Sequence, residues 1–115
     1  MIKGIGTDIV DVDRMTFDLM KRVLSLPEQE KYHAFNAESR KAEFLAGRFA
    51  IKEAISKALG SIDFPLSLNE LIVLNDENGR PYLICEKLKN QRFHLSISHE
   101  RHYAVGFCVI EEADL

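Results

Sequence analysis

The stretch Phe44–Gly60, FLAGRFAIKEAISKALG, constrains the fold more than any other. It is rich in alanine, holds no proline, and meets glycine at position 60, where a helix would stop. At about 100° per residue, Phe44, Ile51, Ile55, Ala58 and Leu59 share one face, which is therefore expected in a core. Glu53 and Lys57 fall on the opposite side, beside Ala46 and Ala50. A carboxylate and an amine one turn apart, next to side chains of almost no bulk, leave room for something to approach the helix backbone. A Glu–Lys pair at this spacing is also a common solvated pair of helix surfaces, contributing about 0.3–0.5 kcal/mol. Its meaning depends on the rest of the chain.

With 115 residues the chain has material for one domain around one core. No apolar run nears the ~20 residues of a bilayer span, so no membrane association is expected. A net charge of −3 gives no support to nucleic-acid binding. The N-terminus lacks a charged region followed by an apolar stretch, the mark of a signal peptide. Cys85 and Cys108 lie inside apolar runs and read as buried free thiols, so the expected compartment is the cytoplasm.

Ile2–Val12 reads as a strand, with Gly4, Gly6 and Asp8 on one side of it. Glycines there mark a close approach by a ligand or another backbone, and leave Asp8 on a face cleared of bulk. Arg14–Leu24 reads as a helix whose polar side carries Arg14, Lys21 and Arg22, the most cationic piece of an acidic chain. Ser25-Leu-Pro-Glu28 is a capping box opening a second helix to about Phe35. After the long helix, residues 61–67 form a loop and Leu68–Leu74 a strand. Asn75–Gly79 is a turn, and Arg80–Cys85 returns as a strand, with Gly79, Arg80 and Pro81 at the hairpin tip. In Phe93–His99, Phe93, Leu95 and Ile97 face one way, while His94, Ser96 and Ser98 give a polar face that ends in His99. Tyr103–Ile110 is expected as a central strand. One strand, three helices and four strands make an α+β domain, a mostly antiparallel sheet covered by helices.

Asp8 and Glu53 are carboxylates on surfaces bared by glycine or alanine. Two hard oxygen ligands that leave room for water and substrate phosphate suit Mg²⁺. Zinc is disfavoured, because no Cys or His pair stands at ligand spacing. Arg48, Lys52 and Lys57 belong to the helix of Glu53, Arg80 comes from the hairpin, and Ser96, Ser98 and His99 add neutral donors. Such a set describes a site for a phosphate-rich substrate with a metal ion. His99 reads equally as a structural histidine at a strand end. No Walker A or Gly-x-Gly-x-x-Gly loop is present.

Gly4-Ile-Gly-Thr-Asp8 with Arg14 six residues on, Phe44-Leu-Ala-Gly-Arg-Phe49 with Lys52-Glu53-Ala54 and Lys57, Asn78-Gly-Arg-Pro81, and Ser96-Ile-Ser-His99 occur in this order. In that combination the chain closely resembles the holo-[acyl-carrier-protein] synthases, the short class of 4′-phosphopantetheinyl transferases, over essentially its whole length. The resemblance implies their fold and a Mg²⁺-dependent transfer. The 4′-phosphopantetheine arm of coenzyme A passes to a serine of apo acyl carrier protein, and adenosine 3′,5′-bisphosphate leaves. It implies Asp8 and Glu53 as metal ligands and Lys57 on the coenzyme's pyrophosphate. It implies Arg48, Gly79, Arg80, Pro81, Ser98 and His99 at the adenosine bisphosphate end. Arg14, with Lys21 and Arg22 beside it, implies a dock for the acidic carrier protein, and the family's assembly is a homotrimer with active sites between subunits. The proton acceptor for the serine stays open among Glu53, a metal-bound water, and a water held by a carboxylate. Ile51 stands where a small alanine is common and is expected to repack its neighbours without loss of activity. Two competing readings remain. One is a non-catalytic module that holds an acidic protein through Arg14–Arg22; the other is a metal-dependent nucleotide phosphohydrolase.

Overall fold

The computed structural model describes residues 1–60 and 66–113. Strand β1 (Ile2–Asp11) is followed by helices α1 (Phe17–Val23), α2 (Leu26–Ala34) and α3 (Glu38–Ala58). Strands β2 (Ile72–Asn75), β3 (Pro81–Ile84), β4 (Gln91–His99) and β5 (Tyr103–Glu112) complete the α+β order expected from the sequence. All strand pairs are antiparallel. β5 is central, as expected, between β1 and β4, whereas the β2–β3 hairpin forms a ladder of its own. Most of the expected loop after Gly60 lies outside the described residues.

The bare side of α3 is filled by the sheet. Ala46, Ala50 and Ala54 are fully buried. A Cβ on Gly4 or Gly6 would collide with the backbone of Ala58 or Ala54, and one on Gly106 would lie 2.6 Å from backbone atoms of Ala50 and Ile51. The expectation that Ala46 and Ala50 leave room for something to approach the helix backbone is met by the sheet. Small residues on both sides let helix and sheet backbones touch, and the approaching group is the protein itself. The adjoining side, with Ile51 and Ile55, shares one core cluster with Ala54, Ala58, Leu71, Val73, Leu88, Cys108 and Ile110, and so is buried as expected. Phe44 is only half-buried, and its ring carries the Arg48 guanidinium 4.6 Å from the centroid.

Two further boundaries differ from expectation. The helix expected from Arg14 is split into a 3₁₀ turn at Val12–Arg14 and α1, which begins only after Thr16. Asp11 starts that turn early by accepting from the Asp13 N–H at 2.9 Å, and Met15 and Thr16 are extended. The strand expected from Leu68 begins at Ile72, because Ser67 and Glu70 form a capping box around a 3₁₀ turn at Leu68–Glu70.

The sheet's outer face, away from α3, carries Ile5, Ile9, Tyr103, Val105 and Phe107, with Ile5 and Ile9 59% and 63% exposed. These side chains form an apolar sheet face that no element among the described residues covers.

Candidate active site

The close seating of α3 on β1 sets Glu53 and Lys57 beside Asp8. Lys57 Nζ donates to Asp8 Oδ1 at 2.9 Å and to the Thr7 carbonyl at 3.1 Å. The pair stays open to water, with side-chain exposures of 56% for Lys57 and 21% for Asp8. Burial raises the Glu53 carboxyl above the usual range; the Asp8 carboxylate adds to this and Lys57 opposes it. Two carboxylates whose charges meet, with a lysine beside them, form an oxygen donor set. Among the described residues no group of three or more His, Cys, Asp or Glu is placed to hold a metal ion by itself. A hard divalent ion held by two carboxylates, its remaining positions filled by water and phosphate, fits that set.

Arg48 lies five residues before Glu53 on α3, roughly 140° around the helix and so on its other flank. Its guanidinium is buried and pinned: Nε donates to the Val73 carbonyl at 3.0 Å and Nη2 to Asn75 Oδ1 at 2.9 Å. Desolvation lowers its proton affinity, opposed by the nearby Glu28 carboxylate. Arg48, Phe44, Gly47, Asn75, Ile97 and His99 share a cleft of about 150 Å³. An adjoining cleft of about 160 Å³ adds Gly79 and Pro81. Gly79 sits at φ +82°, in the left-handed region that suits glycine in a tight turn. His99 Nδ1 lies 2.9 Å from Glu43 Oε1.

Sequence-predicted residues therefore gather in two groups: Asp8, Glu53 and Lys57 on one flank of α3, and Arg48, Gly79, Pro81 and His99 on the other. Three placements differ from the sequence reading. Ser98 and His99 lie on opposite faces of β4, because alternation turns His99 toward α3 with Ile97 and leaves Ser98 outward with Ser96. Arg80 is exposed at the hairpin, where its N–H donates to Asp76 Oδ1 at 2.9 Å, and it does not line the clefts. Lys52 is no phosphate ligand: its side chain is wholly buried, its Nζ 2.5 Å from Glu28 Oε1. Arg14 closes the first 3₁₀ turn, Lys21 and Arg22 lie in the last turn of α1, and all three are exposed.

Sequence reasoning missed Glu43, Asn75 and the wider role of Glu28. Glu28 was legible as part of a capping box, but nothing local signals its four hydrogen bonds to Ser25, Lys52 and Val73. For Glu43, one turn before Gly47 on the helix carrying Arg48, the signal was its position alone.

Comparison with known proteins places the chain in a family. Residues 4–108 match the family model of the 4′-phosphopantetheinyl transferase superfamily. The holo-[acyl-carrier-protein] synthase of Staphylococcus saprophyticus is 43% identical over 96% of this chain and 99% of its own. That of Bacillus subtilis is 43% identical over 96% and 97%. A holo-(acyl-carrier-protein) synthase from Bacillus anthracis, solved in complex with CoA (3′,5′-ADP), superposes with a TM-score of 0.89 at 41% identity, covering 98% of this chain and 99% of that one. The enzyme of Neisseria meningitidis gives 0.83 at 30% identity, over 97% and 100%. This chain belongs to the 4′-phosphopantetheinyl transferase superfamily, among its holo-[acyl-carrier-protein] synthases.

Proposed function

We propose that the chain transfers the 4′-phosphopantetheine arm of coenzyme A to a serine of apo acyl carrier protein, with Mg²⁺ on Asp8 and Glu53. The observation that carries this reading is the meeting of Asp8, Glu53 and Lys57 on a solvent-open flank of α3 in a chain that matches this family end to end. A bound Mg²⁺ supplies charge neutralisation for the pyrophosphate. Lys57 adds a fixed positive charge there, Arg48 holds the adenosine bisphosphate end with Gly79, Pro81 and His99, and Arg80, outside the clefts of one copy, meets it from the exposed hairpin tip. The partner's serine oxygen forms the new bond to phosphorus and its proton passes to Glu53 or to a water. The bridging P–O bond breaks, and its electrons leave with adenosine 3′,5′-bisphosphate. Positioning and charge account for most of such a transfer, which is why the chain needs no nucleophile of its own.

Arg14, Lys21 and Arg22 are assigned to docking the acidic carrier, since exposed cations of one sign steer an anionic partner. Three features support a homotrimer with intersubunit sites. The two residue groups lie on opposite flanks of α3, each cleft beside Arg48 is smaller than the ~300 Å³ typical of ligand sites, and the sheet's outer face is apolar and uncovered. A second copy brings one flank against the other, and Ser98, on that outer face, serves the junction. No helix among the described residues is long and apolar enough to cross a membrane, and both cysteines are free, which suits the cytoplasm.

Mass spectrometry of apo carrier protein incubated with the chain, Mg²⁺ and coenzyme A tests the reaction. A gain of one phosphopantetheine arm is expected, and an unmodified carrier overturns the reading. Light scattering after gel filtration reads the assembly, with three copies expected.

A further inference from the structure

Helix α3 holds a second ion pair that the transfer chemistry does not use. Glu28 and Lys52 are both fully buried. Glu28 Oε1 accepts from the Ser25 N–H (2.7 Å), the Ser25 hydroxyl (2.9 Å) and Lys52 Nζ (2.5 Å), and Oε2 accepts from the Val73 N–H (2.8 Å). Lys52 Nζ also donates to the Val23 carbonyl at 2.7 Å. The end of α1, the first turn of α2, the middle of α3 and strand β2 thus meet at one carboxylate. Apolar side chains of equal volume fill such a space as well or better, so stability alone does not explain a buried pair.

Val73 supplies the reason. Its N–H is taken by Glu28 and its carbonyl by Arg48 Nε, while Asn75, two residues along β2, takes Arg48 Nη2. One residue of β2 is therefore gripped by the buried pair and in turn grips the guanidinium that lines the cleft. Glu28 pairs with Lys52 and also favours the charge on the buried Arg48, which is the cation that reaches the cleft. We propose that the Glu28–Lys52 pair positions Arg48 through Val73, and so sets the affinity for the bisphosphate end of coenzyme A. This rests on the assignment of Arg48 to that end. Glu28 and Lys52 touch no reacting atom; they are positioning residues.

The test measures binding of adenosine 3′,5′-bisphosphate by calorimetry, with steady-state transfer, for wild type, Arg48→Ala, Lys52→Met and the double variant, each below its unfolding temperature. Lys52→Met is expected to weaken bisphosphate binding and raise KM for coenzyme A on the order of tenfold, while KM for apo carrier protein stays within about twofold. In the Arg48→Ala background it adds less than about twofold, because its route is already cut. If Arg48→Ala binds the bisphosphate as wild type does, the assignment of Arg48 fails and this proposal with it. If Arg48→Ala weakens binding but Lys52→Met lowers only the melting temperature, the proposal alone is overturned. An equal loss from Lys52→Met in both backgrounds also overturns it. Should Lys52→Met not fold, NMR of the wild type decides. The Val73 amide and Lys52 ammonium resonances must shift on saturation with the bisphosphate, and unmoved resonances refute the coupling.

Discussion

Helix α3 forms two lysine–carboxylate pairs only five residues apart, and their surroundings give them opposite uses. Lys52 and Glu28 lie 2.5 Å apart with no exposure, whereas Lys57 and Asp8 lie 2.9 Å apart at the surface. The same two charges at ~4 Å attract by about 1 kcal/mol in water and about 4 kcal/mol in a partly shielded site. The buried pair is closed, since every oxygen of its carboxylate is already occupied by ladder, cap and lysine. The open pair stays accessible to water, and it is the one to which the proposed function assigns the metal ion and the pyrophosphate. Burial, and not the pairing itself, decides whether a charge is architecture or chemistry.

The largest effect expected from this contrast is on folding. Glu28→Ala strands the Lys52 ammonium and the Val73 N–H in the core, and should cost about 3–5 kcal/mol in urea unfolding. A loss below about 1 kcal/mol would show that the pair is not closed. Asp8→Asn should do the reverse. Its unfolding free energy should move by less than about 1 kcal/mol, because the pair it breaks is solvent-open. Transfer to carrier protein should fall at least about a hundredfold, roughly 2.7 kcal/mol of barrier, and Glu53→Gln should match it. Near wild-type turnover in either variant would remove the metal assignment. Between these extremes stands the seam on which both pairs depend. Gly106→Ala puts a methyl group against the α3 backbone and should cost about 1–3 kcal/mol, with activity falling alongside stability as Glu53 is lifted from Asp8. An unchanged unfolding midpoint would mean that α3 does not sit so tightly.

What was legible in the sequence follows the same division. Local patterns carried the elements: the alanine-rich helix, the Asn75–Gly79 turn, the alternation of β4 and the glycines of β1. The meeting of Asp8, Glu53 and Lys57 was legible too, because they are polar groups standing on visibly small surroundings. The buried network was not. Lys52 flanks the apolar face of its helix, and only the fold brings Glu28, from another helix, and Val73, from a strand, to it. The capping box at Ser67–Glu70 repeats the Ser-x-x-Glu spacing of Ser25–Glu28 and went unread beneath an apolar run. His99 was assigned to the polar face of its strand because the residues before it alternate hydroxyls. The parity of the strand turns it inward instead.

The smallest effect isolates burial without any partner. Cys108 is fully buried in the core with Ile51 and Ile55, and no counter-charge accompanies it. Burial pushes its thiol from the ordinary value of 9.0 up to about 12. The folded chain therefore keeps this proton where the unfolded chain has lost it. The stabilising contribution is complete below pH 9.0 and is lost as pH rises from there toward about 12. Other groups titrate in the same range, so the quantity to measure is the difference in unfolding free energy between wild type and Cys108→Ala. The cavity left by the substitution shifts that difference by a constant at every pH. The thiol adds a slope of at most about 1.4 kcal/mol per pH unit, with wild type losing ground as pH rises. A difference that stays flat above pH 9.0 would mean that water reaches the thiolate. The core beneath α3 would then be too open to hold Lys52 and Glu28 as a closed pair.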